Sequence, residues 1–365
     1  MIKLRISLLA LLGFFVFACN DNDNIPTGSG NSGGGLSGNN GVWAIPQDEI
    51  FDGGPGKDGI PALESPQLIP GSSATYLRDD ELIIGFKSGN DIRAYPHQIL
   101  DWHEIVNDEV NTAKIAITYC PLTGTGIGWN RNINNATTTF GVSGLLYNTN
   151  LIPYDRLTNS NWSQMRLDCV HGELKGTQTD IFQVVETTWG TWKEFFPETK
   201  VLSRNTGHSR TYGVYPYGSY KTNNEFFLFP VSPKDTRIPA KDRVLGVIIN
   251  GNAKIYQFGS FPSDGVGLVE DNFNGENLMI VGSDNKNIIV AFYTRTIDGD
   301  PVTGLSPISK DSEVILLDEE GNRWNIFGES LEGPKLGKRL SQPVSYIGFF
   351  FAWGAFYPGV EIFQD

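Results

Sequence analysis

The chain has 365 residues, with 28 Lys and Arg against 41 Asp and Glu, a formal net charge of −13. That anionic excess excludes nucleic acid and anionic lipid surfaces as partners, because phosphate is bound through cations. With 42 Gly, 20 Pro and few helical runs, the composition predicts a mostly β (β-rich α+β) architecture joined by many turns.

The N-terminus opens with Met-Ile-Lys-Leu-Arg, continues as an apolar run Ile6–Phe17 and reaches Ala18-Cys19. A basic start, an apolar stretch too short to span as a folded helix and a small residue before the cut predict a signal peptide over 1–18. Its removal takes Lys3 and Arg5 and moves the net charge to about −15. A Cys directly after the small residue resembles a bacterial lipobox, which implies a diacylated Cys19 and a membrane anchor. The Asn-Asp-Asn-Asp-Asn and Gly/Ser/Asn tract over 19–45 cannot bury apolar surface and reads as a flexible tether. Acidic residues just after a lipidated Cys resemble the export signals of Bacteroidetes surface lipoproteins. The expected address is therefore the outer membrane, lipid-anchored, on its periplasmic or cell-surface face. No later segment is long and apolar enough to cross a bilayer; the run Ile347–Phe356 is too short.

Strands are predicted at Glu81–Phe86, Lys114–Tyr119, Gly126–Asn130, Thr137–Val142, Arg243–Ile249, Leu278–Val281, Ile288–Thr294 and Glu313–Leu317. Gly89-Asn90, Asn250-Gly251 and Glu320-Gly-Asn322 read as hairpin turns. Two short helices are predicted, Pro96–Val106 with proline in its first turn and Thr187–Phe196 between a capping threonine and Pro197.

The second half repeats the first. Trp162 and Trp324 are 162 positions apart, and near that offset Gly85 meets Gly246, Tyr95 meets Tyr256, Asp108 meets Asp271 and Asp155 meets Asp318. Gly172 and Gly176 meet Gly333 and Gly337, Trp189-Gly190 meets Trp353-Gly354, and Pro197 meets Pro358. A first unit over 46–232 and a degenerate second unit over 233–365 follow from this register. The reactive residues do not repeat: His97 faces Phe258, His103 faces Val266, Cys120 faces Ser283, Cys169 faces Ser330 and His171 faces Glu332.

Several stretches carry a family resemblance. They include Phe51-Asp-Gly-Gly-Pro-Gly-Lys-Asp-Gly-Ile-Pro-Ala-Leu63, Ala94-Tyr-Pro-His-Gln-Ile-Leu-Asp-Trp-His-Glu-Ile-Val-Asn-Asp108, Thr118-Tyr-Cys-Pro-Leu-Thr-Gly-Thr125 and Phe140-Gly-Val-Ser-Gly-Leu-Leu-Tyr-Asn148. Over roughly 46–220 the chain resembles the bacterial family catalogued as domain of unknown function 3179. The resemblance implies a shared fold and no established activity. Many members look like Cys-Pro-Leu-Cys where this chain has Cys120-Pro-Leu-Thr123, so a two-thiol clip is not available in this loop.

Three functions stay open. Cys120, His97 and His103, completed by Cys169 or His171, would suit zinc or copper, whose natural ligands are thiolate and imidazole. His97 and His103 are six apart, separated by roughly 120° around a helix, so they share a site only if the helix is short. The same Cys120 with a His103 base would suit thiol-dependent catalysis, Asp101, Glu104 or Asp108 orienting the imidazole. The third reading is a non-catalytic surface or accessory module of an outer-membrane assembly, with Cys120 and Cys169 joined as a disulfide. Gly124-Thr-Gly-Ile-Gly128 lacks the Lys and following helix of a phosphate loop.

Overall fold

The computed structural model describes residues 41–308 and 313–364; the leader, Cys19 and the tether to Asn40 lie outside the described residues. The fold is mostly β, with several small sheets and three short α-helices among the described residues. The first repeat begins as a hairpin of Leu82–Ser88 and Asp91–Pro96, turned at Gly89. Val185–Thr188 pairs antiparallel with Leu82–Ser88, and Lys200–Leu202 runs parallel to Asp91–Pro96. The second repeat copies this sheet: Arg243–Ile249 and Asn252–Gln257 form the hairpin, Val344–Phe349 lies on one edge and Glu361–Ile362 runs parallel on the other.

Each hairpin is followed by a three-stranded meander. In the first repeat it is Ile105–Val110, Ala113–Cys120 and Thr125–Asn130; in the second, Gly267–Phe273, Glu276–Ser283 and Ile288–Tyr293. A four-stranded antiparallel run comes next, ending in Asn161–Ser163 with Asp168–His171 and in Arg323–Asn325 with Ser330–Glu332. The predicted strand Thr137–Val142 moves to Phe140–Tyr147. Its first residues are held elsewhere: Thr138 donates its N–H to Arg131 O at 2.9 Å and its carbonyl accepts from Arg131 Nε at 2.8 Å.

The residues common to both repeats serve the same contacts twice. Tyr95 donates to Asp108 and Tyr256 to Asp271, each at 2.7 Å. Trp162 Nε1 donates to Asp155 and Trp324 Nε1 to Asp318, each at 3.0 Å. Gly172 and Gly333 have φ of 101° and 96°, and a Cβ there would stand 2.7 Å from Ser160 Oγ and 2.6 Å from Asn322 Oδ1. Glycine is required at both on two counts, conformation and space.

Two helices close the repeats, α2 at Trp189–Phe195 and α3 at Phe350–Phe356, followed by Pro197 and Pro358. Thr188 caps α2 by accepting from Thr191 N. A Cβ on Gly85 would stand 2.1 Å from the Trp192 ring, and one on Gly246 2.1 Å from Trp353. Trp192, not Trp189, is thus the counterpart of Trp353: each is the fourth helical residue and lies across the strand at a glycine. The sequence pairing of Trp189-Gly190 with Trp353-Gly354 is one helical turn out of register, because an indole three positions away falls on the same helix face.

The repeats pack reciprocally. Phe350 and Trp353 of α3 share a core with Trp162 and Trp129 of the first repeat, whereas Trp189 and Trp192 of α2 share one with Trp324 and Phe327 of the second. Asn40–Asp365 accordingly cluster as one compact unit.

The copies differ most just after the first hairpin. Here Pro96 leads into α1, His97–His103, where the second copy has only a 3-10 turn, Phe258–Ser260. Helix α1 stops short of the predicted Val106, because Glu104 turns at φ 58° and Ile105 already belongs to the meander.

Candidate functional site

Helix α1 sets His97 and Asp101 one turn apart on the same face. The His97 ring packs 4.4 Å from the Tyr119 ring, and its Nε2 lies 3.7 Å from Glu186 Oε2. Glu186 is held through its other oxygen, which accepts from Arg243 Nη2 at 2.6 Å and Nε at 3.2 Å. His97, Asp101 and Glu186 are 8%, 6% and 5% exposed, yet His97 Nε2, Asp101 Oδ1 and Glu186 Oε2 have no hydrogen-bond partner. His97 and Asp101 line a cleft of 270 Å³ together with Arg78, Glu81, Gln98 and Tyr215.

Burial sets the protonation of this pair. It pushes the Asp101 carboxyl up to about 7, against the opposing pull of the Lys221 cation. Burial, with the Arg243 and Lys221 cations beside it, holds His97 well below the usual imidazole range. Burial also raises Glu186, against the pull of Arg243. At neutral pH the cleft therefore offers an uncharged imidazole and a carboxyl poised to gain or lose a proton, side by side.

The remaining candidates lie apart from this pair. His103, at the far end of α1, places Nδ1 2.7 Å from Pro61 O and Nε2 2.6 Å from Tyr212 OH. A carbonyl can only accept, so Nδ1 carries the proton and Nε2 accepts from the tyrosine, which leaves no lone pair for a metal. Cys120 ends the Ala113–Cys120 strand, where alternation points Tyr119 toward α1 and Cys120 to the opposite face. There it packs with Ile127 and Trp129, and its Sγ donates to Thr149 O at 3.6 Å. Burial pushes this thiol up to about 11, so it is protonated and not an activated nucleophile.

Cys169 sits opposite Trp162 in a bulged hairpin, its Sγ 3.3 Å from both Asn161 O and His171 O. Its counterpart Ser330 sits opposite Trp324 and donates to Glu332 O at 3.0 Å. A thiol in one copy and a hydroxyl in the other thus make the same structural bond. His171 stacks on Trp43 with ring centroids 4.5 Å apart.

These positions correct the sequence expectations. His97, His103, Cys120, Cys169 and His171 do not form one ligand shell, and among the described residues no group of three or more His, Cys, Asp or Glu stands where it could hold a metal. Cys120 and Cys169 are free thiols in separate sheets, not a disulfide. Neither His97 nor His103 is hydrogen bonded to Cys120, so the thiol–imidazole pair is not assembled either. Of the five candidates, only His97 reaches the cleft.

Glu186 was missed, although the repeat carries a signal for it. Glu186 pairs with Ile84 on the strand flanking the first hairpin, and Ile347 holds the same place opposite Leu245 in the second. A carboxylate on a strand whose counterpart is apolar marks a position the fold does not need to be charged.

The structure defines a β-rich, internally repeated protein with a polar cleft built on the one helix its second copy lacks. The chain matches the family described as "Protein of unknown function (DUF3179)" over residues 57–360 and belongs to it. The match takes in most of the second repeat, well beyond the 46–220 that the sequence resemblance covered. No curated protein and no solved structure matches the chain.

Proposed function

We propose that the protein is a lipid-anchored binding protein whose working site is the His97–Asp101 cleft, recognising a small polar molecule by donating and accepting hydrogen bonds. One observation carries this reading: two buried polar atoms without hydrogen-bond partners, His97 Nε2 and Asp101 Oδ1, stand one helical turn apart on residues that line a cleft. An unpaired buried polar group costs about 1–3 kcal/mol, and the second copy, with Phe258 in place of His97, shows that the fold does without it. Zinc or copper is not part of this proposal, since the thiols and imidazoles do not converge.

Groups kept for a ligand, not for folding, should weaken the empty protein. His97→Phe, which copies Phe258, and Asp101→Leu should each raise stability by about 1 kcal/mol in urea unfolding; a comparable loss would assign both residues to the scaffold. The pH dependence has a definite sign. Folded Asp101 keeps its proton up to about 7 whereas its ordinary value is 3.8, so the penalty for burying it is smallest below pH 4 and stability falls as pH rises from there through 7. Glu104, buried and pushed up to about 8, acts in the same direction. Asp101→Leu should therefore flatten part of this slope and not all of it.

The proposed address is the outer membrane, through a lipid on Cys19, with an outer-membrane protein as neighbour. Its support is the basic start, the short apolar run and Ala18-Cys19 in the sequence. Cys19→Ser should move the protein from the membrane fraction to the soluble one, and a variant that stays membrane-bound without lipid would end this part of the proposal.

A further inference from the structure

Lys241 is the most anomalous charged side chain outside the cleft. It is 7% exposed, and its Nζ has no hydrogen-bond partner. Among the described residues no carboxylate pairs with it. Its surroundings are aromatic: Nζ lies 3.4 Å from the ring centroid of Tyr220, 4.4 Å from those of Phe227 and Phe351, and 5.9 Å from that of Phe349. The backbone is fixed at this point, because Lys241 N donates to Asn224 Oδ1 at 2.8 Å. Beside the cage lies a cavity of 500 Å³, and Phe227, Phe351 and Ala240 line it. The lysine cage and the cavity thus share two ring walls. Two cations, Lys234 and Arg237, and two carboxylates, Glu225 and Asp235, line the same cavity; Arg237 is paired with Asp235, and Lys234 lies over the Phe227 ring.

An amine removed from water with no counter-ion favours its neutral form, and burial brings Lys241 down to about 7. A neutral lysine in an apolar pocket has a free lone pair, the state in which lysines attack carbonyl carbon. We propose that Lys241 is a carbonyl-capturing residue that forms an imine with small aldehyde or keto acids entering through the neighbouring cavity. The Nζ lone pair bonds to the carbonyl carbon, and the carbonyl oxygen takes one amine proton to give a carbinolamine. Loss of the hydroxyl with the second amine proton as water leaves a C=N bond, with no net oxidation or reduction. With Arg237 neutralised by Asp235, Lys234 is the cation left on this cavity for the acid function of the substrate class, and the rings account for its small size. This site is separate from the His97–Asp101 cleft and does not depend on it.

The test uses the intact protein with glyoxylate as the probe and cyanoborohydride to trap any imine at pH 7, followed by peptide mapping by mass spectrometry. Lys241 should carry the reduced adduct at glyoxylate concentrations that leave exposed lysines unmodified. Phe227 is only half-buried, so Phe227→Ala should stay folded and speed modification of Lys241 by removing a wall. Adducts spread over exposed lysines with Lys241 untouched overturn the proposal, since they show a caged ammonium held by the ring faces. Modification of Lys241 only in Phe227→Ala overturns it too, because the intact cage would then keep carbonyl compounds out.

Discussion

Gly85→Ala is expected to cost about 3 kcal/mol or more, at the upper end of what overpacking does to a core. The added Cβ would lie 2.1 Å from Trp192 Cζ3 and 2.2 Å from Cη2. The indole has nowhere to go: it is fully buried, 4.6 Å from the Phe196 ring, and its Nε1 donates to Thr199 Oγ1 at 3.0 Å. Gly246→Ala meets the same obstacle in Trp353, stacked between Tyr346 at 4.6 Å and Tyr357 at 5.4 Å. Urea midpoints at unchanged slope measure both losses. Trp192→Leu should then recover part of the Gly85→Ala loss in the double variant, because the two changes share one contact. A loss below about 1 kcal/mol in either single variant would mean that the ring does not lie on the strand.

Asp155→Ala should be of similar size, and Asp318→Ala should match it. Asp155 is fully buried and accepts from Thr158 N at 2.7 Å, Ser160 N at 3.2 Å and Trp162 Nε1 at 3.0 Å, with the Thr158 hydroxyl added. Asp318 accepts from Glu320 N at 3.1 Å, Asn322 N at 2.8 Å and Trp324 Nε1 at 3.0 Å. Removing either carboxylate leaves several buried donors unpaired at about 1–3 kcal/mol each, which projects to about 3 kcal/mol or more in total. Thermal unfolding of the two variants side by side checks this, and a large loss in one with none in the other would break the equivalence of the repeats.

The two predictions draw on the part of the protein most open to reading from sequence. Gly85 with Gly246, Tyr95 with Tyr256 and Asp155 with Asp318 recur in order because each is fixed by a local geometry that both copies must satisfy. Helix α2 was readable from a threonine cap and a following proline, whereas α3, inside the apolar run Ile347–Phe356 and without a side-chain cap, was not predicted. The tryptophans of α2 were harder, since Trp189 and Trp192 share a helix face and only the glycine beneath one of them separates the candidates.

The site was much less readable. Residue type pointed to Cys120, Cys169 and His103, each of which turned out to be satisfied by a nearby carbonyl or hydroxyl. Strand alternation, which turns Cys120 away from α1, depends on register, and one residue of slip reverses it. The sequence by itself determined the β-rich class, the turn positions, the family and the duplication, because these follow from short-range pattern and from spacing along one chain. Only the tertiary structure decided which reactive residues meet. His97, Glu186 and Arg243 come from a helix and two strands far apart in sequence, and the reciprocal packing of α2 and α3 brings the two repeats into one body. The burial of His97 Nε2, Asp101 Oδ1 and Glu186 Oε2 without hydrogen bonds arises from that packing, and neither a side chain's type nor its position records it.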